Sequence, residues 1–300
     1  MGTERRAYRR TTRALVVASV SSAMLAMNVD AYAFCRKTTC VPEKEHCPRD
    51  EHGCVTVGAP IRWPKLPIVY RFSAEHPGQL VREEARAAVR AAFHRWSDTL
   101  CPDGRRTSLR FVEGEDIVGT KPLEPRSRAP EPYGIFFRDL GWPYVGRDST
   151  LAQTNTMFKK PSGFVDYADI EINVASKRFS TREDDEGVDL QAVMTHEVGH
   201  YIGLDHSDVS DSIMVDSYCA REGRCEKGKV AARRLSLDDI EAVCTLYPPD
   251  GPPSSETPPP SADGCTTAAR NPESPHSAVP IAAPAALLLA AAVRRRRERT

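Results

Sequence analysis

The sequence predicts one α/β domain bounded by shorter segments of different character, and three observations carry that prediction. From Gly78 to Leu100, apolar residues recur at three- and four-residue steps (Val81, Ala85, Val89, Ala92, Phe93, Trp96, Leu100), the buried stripe of an amphipathic helix. A second helix is expected from about Asp189 to Tyr201. Around these helices lie short runs rich in β-branched and aromatic residues, bounded by turn-forming residues, which read as strands.

Taken in order, the first strand is expected over Leu66 to Phe72 (LPIVYRF), ahead of the amphipathic helix. Leu109 to Val112 and Ile135 to Phe137 follow as short apolar runs between turn-rich stretches. Thr150 to Phe158 and Tyr167 to Val174 read as two more strands, with clear alternation at Ile170, Ile172 and Val174. Asp189 is a plausible N-cap for the second helix, because its carboxylate can accept an unpaired amide of the first turn. Gly203 stops that helix, since glycine readily takes the left-handed conformation at a helix end. A last helix should begin at Ser236, where Ser236 and Asp239 form an acidic variant of the capping box, and end before Pro248 and Pro249. No internal repeat is visible.

Bulk composition narrows the function. The chain has 300 residues, of which 40% are hydrophobic, as in ordinary soluble domains. Lys+Arg and Asp+Glu each count 41, so there is no net charge to favour nucleic acid or a generally acidic partner. Residues 1–33 read as an export signal: an Arg-rich head, an apolar run from Ala14 to Met27 too short to span a bilayer, and the small-x-small pattern Ala31-Tyr32-Ala33. Residues 34–59 form a Cys-rich segment, and residues 60–248 the main domain. Residues 249–277 are a Pro/Ser-rich linker that cannot bury a core. Residues 278–300 combine an apolar segment with the Arg294 to Arg297 block.

Export makes disulfides the first reading of the 9 cysteines. Cys35, Cys40, Cys47 and Cys54 cluster after the cleavage pattern, and their spacings lack the C-x2-C pairs of zinc ribbons. Cys219 and Cys225 flank a short loop, while Cys101, Cys244 and Cys265 stand apart; connectivity stays open.

The chemistry concentrates in His196-Glu197-Val198-Gly199-His200-Tyr201-Ile202-Gly203-Leu204-Asp205-His206. Residues four apart share a helix face, so His196 and His200 can present their imidazoles to one ion. Gly203 lets the chain turn and brings His206 to a third corner. Three His ligands leave a fourth tetrahedral position for water, the arrangement of a catalytic zinc and not a structural one. Glu197 lies one step round the helix, able to act on that water as general base without binding the metal. With only 8 His in the chain, surface histidines on an ordinary helix do not account for this spacing.

The pattern H-E-x-x-H-x-x-G-x-x-H is matched in full, and here the sequence resembles the metzincin metallopeptidases, in their matrixin-like branch. Ser212-Ile213-Met214 resembles the methionine turn of that group, with Met214 a hydrophobic floor beneath the zinc; Ser207 after the third His also resembles this branch. Leu235-Ser236-Leu237-Asp238-Asp239-Ile240 and Leu246-Tyr247 are similar to its C-terminal helix. The resemblance implies that Asp239 braces the methionine turn and that Asp238 is free to bind a mature N-terminus or another partner. It further implies a twisted, mostly parallel five-stranded sheet with three main helices, one catalytic Zn²⁺, and protein or peptide substrates. Thr150 to Phe158 would then be an edge strand over the cleft that pairs with an extended peptide.

Departures are also visible. There is no P-R-C-G-x-P-D switch and no His-rich structural-zinc segment, and Tyr218 does not match the tyrosine ligand of other metzincins. Asp166, Asp169 and Glu171 are candidate Ca²⁺ ligands, although polar alternation on a strand's solvent face accounts for them without an ion. One N-terminal cysteine could instead close the metal site as a thiolate. The tail, with Gly264-Cys265, an apolar stretch and an Arg block, resembles myxobacterial sorting signals; a simple membrane anchor is the alternative. The expectation is a zinc endopeptidase outside the inner membrane, extracellular or on the surface of a Gram-negative-type bacterium. Its rival is a catalytically silent, metal-containing surface binding module, against which the intact Glu197 argues.

Overall fold

The computed structural model describes residues 33–42, 44–74, 77–119, 134–146, 149–218 and 229–251. Residues 1–32 of the expected export signal, Cys219, Cys225, Cys265, the expected linker after Gly251 and the apolar tail with its Arg block lie outside the described residues.

The strands are β1 (Ile68–Tyr70), β2 (Phe111–Glu113), β3 (Ile135–Phe137), β4 (Ala152–Phe158), β5 (Val165–Ile172), β6 (Phe179–Ser180) and β7 (Val188–Asp189). The helices are α1 (Arg82–Ser97), α2 (Leu190–Ile202), the single turn α3 (Lys229–Ala232) and α4 (Leu237–Leu246). β1 pairs in parallel with β2, and β3 in parallel with β5. A parallel bridge between Phe72 and Ile135, with Ser73 N–H donating to Ile135 O at 2.9 Å, carries the bonding from the end of β1 to β3. Five strands therefore follow in the order β2-β1-β3-β5-β4, and only β4, at the edge, runs antiparallel to its neighbour. The mixed α/β class, the mostly parallel sheet and three main helices match the expectation.

α1 buries the middle of the stripe read in the sequence: Ala85, Val89, Ala92, Phe93 and Trp96 are almost completely covered, whereas Val81 and Leu100, expected in the same stripe, lie just outside the helix and are exposed. Phe93 stacks on Tyr70 of β1 with ring centroids 4.0 Å apart, and Trp96 Nε1 donates to Thr195 O of α2 at 2.8 Å. That indole bond aligns α1 against the helix that carries the metal-ligand pattern. On the sheet side, Ala168, Ile170 and Ile172 of β5 are fully buried.

The opposite face of β5 corrects one expectation. Asp169 and Glu171 do not face solvent: they are 4% and 1% exposed. Segment 138–146 covers them. Arg138 pairs with Glu171 at 2.6 Å, Tyr144 O–H donates to Glu171 at 2.8 Å, and Asn155 of β4 donates to Asp169 at 3.0 Å. A buried carboxylate is tolerable only when so partnered. Asp166, on the other parity of the strand, pairs with Lys159 at 3.6 Å. These acids do not gather around a common point, and among the described residues the only group placed to hold an ion is the His trio.

Among the described residues, three disulfides join Cys35 to Cys54, Cys40 to Cys47 and Cys101 to Cys244. The thiolate reading is thereby overturned, because all four N-terminal cysteines are oxidised and none can ligate a metal. Cys101–Cys244, across 143 residues, ties the turn after α1 to α4.

Candidate active site

Helix α2 begins where Asp189, fully buried, accepts from Ala192 N–H at 2.8 Å. Arg233 grips the same carboxylate at 2.6 Å, offsetting its burial. The helix ends at Gly203, whose φ of 110° only glycine adopts easily. The carbonyls left open at that end are filled from outside: Tyr247 O–H donates to Ile202 O and Trp63 Nε1 to Tyr201 O, both at 2.8 Å.

His196 and His200 project from one face of α2, and the turn after Gly203 returns the chain so that His206 joins them. One nitrogen from each ring lies within 4.8 Å of the other two. His196 Nδ1 is 2.8 Å from Ile213 O, and His200 Nδ1 is 2.9 Å from Leu204 O. A carbonyl oxygen can only accept, so each Nδ1 carries the proton and each Nε2 keeps its lone pair. His200 Nε2 and His206 Nε2 approach to 3.2 Å. Burial pushes the His200 pKa well below its ordinary value and lowers that of His206. His200 and His206 thus favour their neutral forms, and the three rings have convergent donor atoms. Three convergent imidazole nitrogens are a donor set that fits a zinc ion.

Glu197, 6% exposed, points across to the edge strand, where Thr154 O–H donates to its Oε2 at 2.6 Å. Burial raises the Glu197 pKa; the Thr154 bond, Lys37 and His206 pull it the other way. Met214 is buried against Gly199 of α2, and Ser207 N–H donates to its carbonyl at 2.9 Å. Asp239 caps α4 in a capping box with Ser236, and it also accepts from Ser212 O–H at 2.5 Å and Ile213 N–H at 2.8 Å. One carboxylate thus holds both the helix start and the turn containing Met214. Asp238 is 4% exposed, accepts from Ser207 O–H at 2.9 Å, and is acted on by the backbone amides of Ala33 and Phe34.

An open cleft of about 990 Å³ runs past the trio, lined by residues 149–154, which include the start of β4, on one side and by Ile213 and residues 215–218 on the other. Two members escaped the sequence reading. Thr154 sits in a strand whose spacing carries no sign of a contact with Glu197. Lys37 comes from the Cys-rich segment, which nothing in the linear pattern joins to the metal-ligand motif.

Residues 135–248 match the family profile described as Matrixin. The chain is 30% identical over 230 residues to Metalloendoproteinase 2-MMP of Arabidopsis thaliana, covering 73% of this chain and 53% of that protein. It is 31% identical over 189 residues to Matrix metalloproteinase-25 of Homo sapiens, covering 62% and 29% respectively. With Stromelysin-3 of Mus musculus it shares 27% over 219 residues, covering 71% and 38%. The chain thus spans about half the length, or less, of these relatives. The His trio, the buried glutamate and the edge strand, set in one cleft, all fall within residues 135–248, the stretch that matches the Matrixin profile.

Proposed function

We propose that this protein is an exported, zinc-dependent endopeptidase. The observation that carries the reading is the convergence of three imidazoles, each of His196 and His200 locked by a carbonyl, beside the buried carboxylate of Glu197. Relatives named as metalloendoproteinases and matrix metalloproteinases support it. His196, His200 and His206 would hold the ion, which when bound supplies Lewis-acid polarisation of the scissile carbonyl and a more acidic water. Glu197 accepts the water proton on its carboxylate and returns it to the leaving amine nitrogen. Thr154 keeps the carboxylate aimed into the cleft. β4, which among the described residues is bonded on one side only, to β5, offers its other backbone edge to an extended peptide. Met214 and Asp239 support the ligands from below, and Gly203 makes the turn that admits His206.

Export is part of the same reading. It rests on the signal-like first 33 residues, on a disulfide-stapled segment after them, and on the linker and tail, which resemble a surface-sorting signal. Among the described residues no helix is long and apolar enough to cross a membrane.

The test is a set of three proteins with a peptide panel and metal analysis. Chelation is expected to abolish cleavage and zinc to restore it. Glu197→Ala is expected to keep one zinc per chain and lose turnover by on the order of 10²-fold or more. His200→Ala is expected to lose zinc, and full occupancy in that variant would falsify the ligand assignment. A zinc-loaded wild type that cleaves nothing would point instead to a silent surface binding module.

A further inference from the structure

The Cys-stapled N-terminal segment is fixed against the main domain at the turn that delivers His206. Arg36 bridges antiparallel to Leu204. Lys37 N–H donates to Gly203 O, Ile61 N–H donates to Lys37 O, and Asp205 N–H donates to Cys35 O, all at 2.8 Å. Cys35–Cys54 closes the segment on itself. This docking uses backbone groups of Lys37, which any residue other than proline supplies, so it does not explain a lysine there.

The Lys37 side chain lines the cleft together with His196, Glu197, His200 and His206. It is partly buried, and no hydrogen bond or ion pair engages its ammonium among the described residues. The acids that face it are Asp205 and Glu197, which act on it at longer range. Both are engaged elsewhere: Asp205 accepts from His206 N–H at 2.9 Å, and Glu197 from Thr154 O–H at 2.6 Å. An ammonium held partly out of water without a partner is costly, and a bound anion relieves that cost.

We propose that Lys37 is a specificity-determining residue that binds a carboxylate of the peptide substrate close to the scissile bond. The inference rests on the endopeptidase reading and deepens it by naming the substrate class: peptides with an acidic group near the cut. Such a carboxylate could come from an Asp or Glu side chain or from a nearby chain terminus. The same contact makes the N-terminal segment a wall of the cleft in the working protein.

The experiment uses the mature, zinc-loaded chain and a fluorogenic peptide whose cut bond is located by mass spectrometry. Residues flanking that bond are changed in turn to Asp, Asn and Lys with both ends blocked. A second arm compares a free with an amidated C-terminus near the cut. The readout is the ratio of kcat/KM for the acidic and neutral members of a pair, so a general loss of activity cancels. Wild type and Lys37→Arg are expected to favour the acidic member by about tenfold. Lys37→Met should bring the ratio close to one, and Lys37→Glu should turn it toward the basic peptide. Whichever arm shows the preference identifies the source of the carboxylate. A ratio that is the same in all four folded proteins overturns the proposal. Should no peptide be cut at all, the endopeptidase reading falls by itself. Fluorescence polarisation with labelled acidic and neutral peptides then decides the Lys37 contact, and equal affinities would overturn it too. The same binding measurement decides it should the Lys37 variants fold but lose all turnover.

Discussion

Gly203 and Gly199 show how closely single residues are constrained around the trio. At Gly203 the backbone has φ of 110°, and a Cβ would stand 2.0 Å from the carbonyl oxygen of Ile61. Backbone strain and a backbone collision therefore act together. Gly203→Ala is expected to cost roughly 2–4 kcal/mol and to move the chain leading to His206. At Gly199, in the middle of α2, the obstacle is different: a Cβ would lie 2.2 Å from Met214 Sδ. Gly199→Ala is expected to displace Met214, costing about 1–3 kcal/mol by overpacking, with a smaller effect on the path of the chain. Thermal denaturation and zinc titration separate the two. Gly203→Ala should lower both stability and zinc affinity, whereas Gly199→Ala with wild-type stability would show that Met214 is not tightly packed there. Gly203 was legible in sequence as a helix stop. The demand for glycine at 199 was not, because it comes from a residue fifteen positions later in the chain that packs beneath the helix.

At the scale of elements, α1 is tied to the sheet by charge as well as by its apolar stripe. Glu113 of β2 accepts from Arg86 and Arg90 of α1, each at 2.6 Å. These two guanidiniums, Arg90 foremost, hold the Glu113 carboxyl at about 2, against an ordinary value of 4.5. A depressed folded-state pKa means that the carboxylate stabilises the fold fully above about 4.5 and loses that contribution as pH falls toward 2. Glu113→Gln is expected to cost about 2 kcal/mol at neutral pH, with the difference from wild type shrinking as pH drops through that window. Urea denaturation at pH 7 and pH 3 checks this, and a gap that stays constant with pH would refute it. The strands themselves were partly legible. The pattern 135–137 coincides with β3, whereas the acids of β5 misled, since alternation reports which residues share a face but not what covers that face. Segment 138–146, folded back by Arg138 and Tyr144, makes the polar face an interior.

At the scale of the whole molecule, Cys101–Cys244 joins the turn after α1 to α4, a closure across 143 residues. Such a long loop removes much conformational freedom from the unfolded chain. Cys35–Cys54 and Cys40–Cys47, at separations of 19 and 7, instead staple a segment too small to hold a core of its own. Mass spectrometry of protein recovered from outside the cytoplasm is expected to show these three pairs and a mature start near Phe34, next to Asp238. An intact Met1 and free thiols in a cytoplasmic fraction would contradict the export reading.

By itself, the sequence determined the three main helices but not the single turn α3, together with the metal-ligand spacing, Glu197 and the capping of α2 and α4. All of these depend on residues within one or two turns of each other, where helical geometry alone decides which side chains meet. The tertiary structure decided the rest: the Cys101–Cys244 pairing, the buried Glu171–Arg138 ion pair, the grip of Thr154 on Glu197, and the arrival of Lys37 in the cleft. Each joins elements tens of residues apart. No local period links such pairs, and only the packing of strands, helices and a stapled segment into one core brings their atoms within reach.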